Sequence, residues 1–262
     1  MYQEQRLTLI KTYLSSHKSI TLEEICETLS VSKDTARRDL IKLEERGEII
    51  RIKGGATLPS SNRNLIDYKE RIATAGKERI AQIASSLIQD HYDLLMDTSS
   101  TCALMAKFMG NKQVNVVTNS IDIVELLSEY TDIQTFVLPE KFNRKNRNLT
   151  GPKTMETLSD YNVDQLFLGA CGISSEGITS PDEEEAYLKK KMINCARQVI
   201  LLADHTKFEK EFLHRVCTIT DVDVIVTDKN PDDAVKEKII ENNIHLIVTE
   251  DEESERKKNE EN

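Results

Sequence analysis

Apolar residues recur every three or four positions through the first 45 residues, and in short dense runs after that. Leu7, Ile10 and Leu14 mark a first amphipathic helix, Leu22, Ile25 and Leu29 a second, and Ala36, Leu40 and Leu43 a third. Thr21 stands at the cap of the second helix with Glu24 at the capping-box position, and Ser32 caps the third. Only Ser30-Val31 lie between the second stripe and that cap, the tight turn of a helix-turn-helix. Gly47 fits the glycine that ends a helix. Glu48 to Lys53 then alternates and runs into Gly54-Gly55, which predicts a two-stranded wing. Three short helices and a wing predict a winged helix-turn-helix over residues 1–57.

The pattern then changes. Residues 58–70, LPSSNRNLIDYKE, have linker composition, and the linker is expected to span 58–76. A helix is predicted over Lys77–Gln89, followed by strands at Asp93–Asp97, Val114–Thr118, Gln134–Leu138, Gln165–Leu168, Gln198–Ala203, Val222–Thr227 and His245–Thr249. Helical segments at 101–109, 120–129, 152–160, 183–196 and 232–242 separate most of them. Short apolar strands alternating with helices predict an α/β domain over 77–249, its largely parallel sheet covered on both faces. Residues 250–262 hold seven acidic and three basic residues and nothing apolar, which predicts an acidic disordered tail.

Composition refines this picture. Of 262 residues 39% are hydrophobic and 31% charged, as in ordinary globular proteins. No apolar run approaches the roughly 20 residues needed to span a bilayer, and no apolar signal follows Met1, so a cytoplasmic protein without membrane association is expected. The five cysteines are odd in number, widely spaced and free of any CxxC pair, which argues against a disulfide framework or a zinc site. The net charge of −10 divides unevenly: residues 1–57 carry ten Lys/Arg against nine Asp/Glu, and the rest twenty-five against thirty-six. Attraction to DNA phosphates therefore falls to a local patch of Lys33, Arg37, Arg38, Arg51 and Lys53. So weak a head needs two copies on one DNA site, and a homodimer or homotetramer is expected.

On the third helix Arg38 lies opposite the apolar stripe, with Arg37 and Lys42 on its flanks. With Ser32 and Thr35 these residues complete the candidate DNA-binding set. In open α/β sheets ligands bind at the carboxyl ends of strands. There the sequence places Asp97-Thr98-Ser99-Ser100-Thr101, then Asn119-Ser120, then Asp204 and Lys207. Small hydroxyl residues leading into a helix suit a phosphate, and a carboxylate beside an ammonium suits sugar hydroxyls and phosphate. Each also has a structural explanation, Ser100 or Thr101 as a helix cap and Asn119 or Asp204 as a turn residue.

The stretch VSKDTARRDLIKLEERGEIIRIKGGA resembles the N-terminal signature of the DeoR family of bacterial transcriptional regulators, whose pattern is VS-x-x-T-x-RRDL-x-x-LE-x-x-G ending in GGA. DTSSTCALMAKFM, VVTNS, LTGP, FLGACGI, EEAYLKKKM and LLADHTKF resemble motifs of that family's effector domain, in the family's order. The resemblance covers about residues 3–230. It implies a fold related to ribose-5-phosphate isomerases and CoA transferases, and a phosphorylated sugar as effector with no cofactor. It places Asp97, Thr98, Ser99, Ser100, Thr101, Asn119, Ser120, Gly169, Asp204 and Lys207 around that effector, with Glu185 and Lys189 matching the family's Glu and Lys. The family often has Gly-Gly where this chain has Pro139-Glu140, and Cys171 and His205 fall at variable positions.

Taken together these features lead to the expectation of a DNA-binding regulator, a repressor of a carbohydrate-utilisation operon released by a phosphosugar. The rival is a sugar-phosphate isomerase with an appended DNA-binding head. Isomerases of the related fold carry Asp-Gly-Ala-Asp where this chain has Leu168-Gly169-Ala170-Cys171, so both carboxylates are missing and no enzyme is expected. A CoA- or metal-dependent regulator would want a glycine-rich phosphate loop or a His/Cys cluster, and the sequence has neither.

Overall fold

The computed structural model describes residues 3–57 and 74–249, apart from single positions 18, 47 and 111. The helix-ending role of Gly47, most of the linker and the acidic tail lie outside the described residues. The chain divides into two compact units, residues 1–65 and 66–262.

The first unit runs α1 (Gln3–His17), β1 (Ser19–Thr21), α2 (Leu22–Leu29), α3 (Lys33–Glu45), β2 (Ile50–Ile52) and β3 (Gly55–Thr57). The three apolar stripes meet in one core of Leu7, Ile10, Leu14, Ile25, Leu29, Ala36, Leu40 and Leu43, closed by Ile20, Ile49 and Ala56. Burying each large aliphatic side chain is worth about 1.5–3 kcal/mol, enough to make helices this short persist. The wing differs from expectation. It is a three-stranded antiparallel sheet in the order β1-β3-β2, in which Ser19–Thr21 pairs with Gly55–Thr57. A three-residue strand with one apolar side chain, Ile20, leaves no periodicity to detect.

The second unit runs α4 (Ala75–Ser86), β4 (Asp93–Met96), α5 (Ser100–Ala106), β5 (Val114–Thr118), α6 (Ile121–Leu127) and β6 (Ile133–Val137). It continues with β7 (Lys141–Asn143), β8 (Asn148–Thr150), α7 (Pro152–Leu158), β9 (Val163–Gly169), β10 (Gly172–Ser174) and β11 (Gly177–Ser180). It closes with α8 (Glu183–Asn194), β12 (Ala196–Leu202), β13 (His214–Cys217), β14 (Val224–Thr227), α9 (Asp233–Glu241) and β15 (His245–Val248). The seven strands expected from the apolar runs form one parallel sheet in the order β15-β14-β12-β9-β4-β5-β6. Separate apolar layers cover its faces. One gathers Leu95, Leu166, Leu168, Leu188 and Leu201, the other Leu94, Met96, Phe167, Ile200 and Val226. Alternation along β9 sends Leu166 and Leu168 to the first layer and Phe167 to the second, so nearly every side chain of a central strand is buried. A β7–β8 hairpin and a small antiparallel sheet β10-β11-β13 were not expected. Their strands are mostly three or four residues long, too short to announce themselves. No helix among the described residues is long and apolar enough to cross a membrane.

The strand order reverses about β4 and β9, so the chain leaves a crevice at their carboxyl ends. One wall is built by the segment after β6. Glu140 takes a φ of 114°, and its carboxylate accepts from the backbone amides of Lys153 (2.5 Å) and Thr154 (3.3 Å) at the start of α7. The helix needs this, because its N-cap, Gly151, has no side chain to offer and lies so close that a Cβ would fall 2.3 Å from the Glu140 carboxyl. The unusual backbone at Glu140 is thus held by a carboxylate on a helix N-terminus. Glu140→Gln is expected to lower stability by about 0.5–2 kcal/mol, the usual value of such a cap, read as a shift in the urea midpoint without a change in slope.

Candidate functional site

In the first unit, the helix-turn-helix is set by two caps. The Thr21 hydroxyl accepts from the Glu24 amide at 3.1 Å while the Glu24 carboxylate accepts from the Thr21 amide at 2.7 Å. Ser30 takes a left-handed φ of 51° and turns the chain, and the Ser32 hydroxyl then accepts from the Thr35 amide at 3.3 Å to start α3. Ser32 and Thr35 also bond to each other through their hydroxyls at 3.0 Å.

Helix α3 is fixed from behind by α1. Asp39, fully buried, accepts from Arg6 Nε at 2.6 Å, Arg6 Nη2 at 3.1 Å and Gln3 Nε2 at 3.0 Å. Lys42 donates to Gln3 at 3.0 Å, and Arg46 forks onto Glu4 at 3.0 and 2.7 Å. Hydrogen bonds from Arg46, opposed by some burial and aided by the charges of Arg46 and Lys42, hold the Glu4 carboxyl down at about 2. This clamp was not anticipated, although a signal existed. Asp39 falls at i+3 from Ala36 and next to Leu40, so a charge sits on the apolar stripe itself.

The clamp sorts the candidate DNA contacts. Lys42 is committed to α1, Lys33 pairs with Glu23 at 3.0 Å, and Arg51 with Glu44 at 2.6 Å. Arg37 lies 3.8 Å from Asp34, an exposed pair of little strength. Arg38 and Lys53 are exposed and have no hydrogen-bond or ion-pair partner among the described residues. Guanidinium and ammonium groups left free on a capped helix and its wing are what a phosphate backbone or a guanine edge requires.

In the second unit, the ends of β4 and β5 meet the hairpin and α8 around a narrow cleft. Asp97, Thr98, Asn119, Asn146, Asn148, Glu185 and Lys189 line it, with Leu188 and Met192 as its apolar part. The space between these groups is about 310 Å3 and is partly open to solvent. At its centre, Lys189 Nζ lies 2.7 Å from Asp97 Oδ2 and 3.2 Å from Glu185 Oε1, and donates to the Gly169 carbonyl at 2.6 Å. Burial alone would lower the Lys189 ammonium, but the carboxylates of Asp97 and Glu185 outweigh it and hold the group above its ordinary value. The Ser180 hydroxyl donates to Glu185 Oε2 at 3.2 Å and orients it.

The Thr98 hydroxyl donates to Asn119 Oδ1 at 2.9 Å, and Asn119 Nδ2 donates to the Leu149 carbonyl at 3.1 Å, a chain that ties β4, β5 and β8 together. The hydroxyls of Ser99 and Ser120 are occupied as caps, accepting from the amides of Cys102 at 3.0 Å and Ile123 at 3.4 Å. The cap of α5 is therefore Ser99 and not Ser100 or Thr101, and Thr101 is buried beside it. Gly169 has a steric reason: a Cβ there would lie 2.3 Å from Ser99 Cβ, so only glycine lets β9 pass the Asp97–Ser99 turn.

Asp204 and Lys207 sit at the end of β12, next in the sheet to β9, and are not part of the cleft lining. Asp204 is buried and accepts from the Thr206 amide at 2.9 Å and the Thr206 hydroxyl, with Lys77 Nζ 3.8 Å away. Burial pushes its carboxyl up, but these hydrogen bonds and the charges of Lys207 and Lys77 leave it below its usual range. Beside it Asp228 accepts from the His205 amide at 2.6 Å and pairs with His205 Nδ1 at 2.8 Å. Asn146, Asn148 and Lys77 were missed by sequence reasoning. The two asparagines arrive on a hairpin whose fold is invisible locally, and Lys77 was read as an ordinary helix residue.

Residues 6–62 match the model of the DeoR-like helix-turn-helix domain, and residues 72–229 that of the DeoR C terminal sensor domain. The HTH-type transcriptional repressor GlcR of Bacillus subtilis is 40% identical over 255 residues, covering 97% of this chain and 99% of that protein. The glycerol-3-phosphate regulon repressor of Escherichia coli is 30% identical over 250 residues, covering 94% and 99%. Among solved structures, ribose 5-phosphate isomerase A of Methanocaldococcus jannaschii superposes with a TM-score of 0.38 at 21% identity, covering 50% of this chain and 53% of that one, too slight a likeness to support anything about activity. With both halves of the family's architecture matched in order, and a relative alike along nearly the whole length, this chain belongs to the DeoR family of transcriptional regulators, a DNA-binding head joined to a sensor of a small molecule.

Proposed function

We propose that the protein represses a carbohydrate-utilisation operon and releases its operator when a phosphorylated sugar or polyol binds the second unit. The observation that carries this reading is the cleft at the ends of β4, β5 and β9, where carboxylate, amide, hydroxyl and ammonium groups face a shared space beside an apolar wall. Such a lining suits a hydroxyl-rich molecule, with Lys207 at the neighbouring strand end as a cation for its phosphate. The name of the glycerol-3-phosphate regulon repressor points to the same ligand class. In this reading the effector residues are Asp97, Thr98, Asn119, Glu185, Lys189, Asp204 and Lys207, with Ser99, Ser100, Thr101, Ser120 and Gly169 shaping the turns that carry them.

The head, at residues 1–57, binds DNA through Arg37, Arg38, Lys53 and the capped start of α3. Two heads of a dimer or tetramer engage a repeated or palindromic site. The sensor at 77–249 has two arrangements, and the effector favours the one in which the heads no longer match the operator. Ligand binding shifts this balance only by its difference in affinity for the two. A hundredfold loss of operator affinity requires a difference of about 2.7 kcal/mol.

The test is fluorescence anisotropy of the full chain on DNA from upstream of its own operon, titrated with sugar phosphates and their unphosphorylated counterparts. One phosphosugar should release the DNA while its free sugar does not. Lys207→Ala should bind the same DNA with unchanged affinity and require about tenfold or more of that effector. Tight DNA binding that no phosphosugar alters would remove the effector from the proposal and leave the repressor.

A further inference from the structure

The cleft wall carries one side chain that the fold itself does not use. Asn148 opens β8 and is 6% exposed, its backbone paired with Asn143 and bridged to Ser120. It lines the cleft together with Asp97 and Lys189. Asn148 Oδ1 is buried without a hydrogen-bond partner, and no described residue bonds to the other end of the amide. Asp97, in the same lining and 1% exposed, sets Oδ2 against the Lys189 ammonium at 2.7 Å and leaves Oδ1 with no hydrogen-bond partner among the described residues. A buried amide and a buried carboxylate oxygen left unpaired cost stability, and two in one narrow cleft mark the place where a ligand supplies what the protein withholds.

The chemistry of the missing partner follows from charge. The ionisable groups of the lining are Asp97, Glu185 and Lys189, two carboxylates against one ammonium. A phosphate dianion entering this space meets a net negative wall. A hydroxyl meets an acceptor at Asp97 Oδ1 and either a donor or an acceptor at Asn148, since an amide offers both. The phosphate therefore belongs outside this lining, and the hydroxyl-bearing end of the ligand within it.

We propose that Asn148 and Asp97 form a hydroxyl-reading subsite for the unphosphorylated end of a sugar phosphate, with Asn148 as the residue that sets specificity. This rests on the reading that the second unit senses a sugar phosphate. It also gives the effector a direction, hydroxyls toward the hairpin and phosphate toward the end of β12.

The experiment uses the full chain and Asn148→Leu, a substitution close in volume that removes both polar atoms. The probes are glucose 6-phosphate, 2-deoxyglucose 6-phosphate, ribose 5-phosphate, 2-deoxyribose 5-phosphate and glycerol 3-phosphate. Thermal unfolding and release of operator DNA are read for each. The variant should melt within about 2 °C of the parent or above it, because the Asn148 side chain makes no hydrogen bond among the described residues. It should bind operator DNA equally well, need about tenfold more of the active probe, and lose the parent's preference between hydroxylated and deoxy forms. A melting temperature that falls by many degrees assigns Asn148 to the fold and overturns the proposal. An unchanged release midpoint with unchanged preference overturns it too, while the sensor reading stands. If no probe stabilises or releases the parent protein, the sensor reading falls and this subsite falls with it.

Discussion

Arg38→Ala is expected to lose roughly two to four powers of ten in operator affinity while the sensor keeps its response to ligand. The magnitude follows from the value of one guanidinium contact to a base or phosphate, about 1–3 kcal/mol per head, counted for the two heads of a dimer. The position is chosen by elimination on the surface of α3. Asp39, Lys42 and Arg46 are bound to α1, and Lys33 and Arg51 have acidic partners within the head. Arg38 is exposed and its side chain has no partner among the described residues, so its removal breaks no bond to any of them. Circular dichroism and the melting temperature should therefore match the parent. Anisotropy on operator DNA separates the two roles left open for Arg38. A phosphate contact lowers binding to all sequences alike and reduces the salt dependence, whereas a base contact relaxes specificity at one position. Unchanged operator affinity would move the contact to Arg37 or to the wing.

The second large effect is expected at Lys189. Lys189→Met keeps most of the volume of the side chain but strips the ammonium from Asp97 and Glu185, at 2.7 and 3.2 Å, and from the Gly169 carbonyl. Breaking a buried ion pair from one side typically costs about 3–5 kcal/mol, because the remaining charge is left uncompensated. In a domain of this size that is a fall of roughly 6–20 °C in melting temperature. The pH dependence has a defined sign. The folded state raises the Lys189 ammonium above its ordinary value, so its stabilisation is fully present below about pH 10.4 and is lost only as the pH climbs beyond that. In Lys189→Met the stranded carboxylates can instead take up a proton, so the deficit against the parent should shrink as the pH is lowered toward about 4–5. Urea unfolding of both proteins across that range measures it. A deficit that stays constant with pH would mean that Lys189 acts through packing and not through its charge. An Asp97→Asn, Lys189→Met double variant should recover part of the loss, since each change then removes a charge the other leaves unpaired.

Much of this was legible in the chain because it rests on local chemistry. Spacing of Leu7, Ile10 and Leu14, of Leu22, Ile25 and Leu29, and of Ala36, Leu40 and Leu43 specifies helix faces, and all of these residues but Leu22 are buried in one core. Thr21 with Glu24, and Ser32, announce helix starts through bonds made within three residues. Strands as short as DLLM and VNVVT could be placed because burial on both faces demands a dense apolar run. What escaped were the β1 strand, the β7–β8 hairpin and the β10-β11-β13 sheet. The β1 strand and the β11–β13 pairing are held by partners distant in sequence, and the strands of the local β7–β8 hairpin are only three residues long, so each contributes little pattern of its own.

The same division separates the site residues. Sequence by itself determined that Asp97, Thr98, Asn119, Asp204 and Lys207 stand at strand ends, because a parallel sheet puts all its carboxyl ends on one edge. It also determined that residues 36–43 form an amphipathic helix with arginines away from the core. Tertiary structure alone decided which of these polar groups are spent on the fold. Lys42 is held by α1 and Asp39 is buried under Arg6, while the side chains of Arg38 and Asn148 and the Oδ1 of Asp97 have no hydrogen-bond partner among the described residues. The reason is physical: a side chain's type fixes what it can bond, but whether that bond is already made depends on residues brought near by folding, often thirty or more positions away.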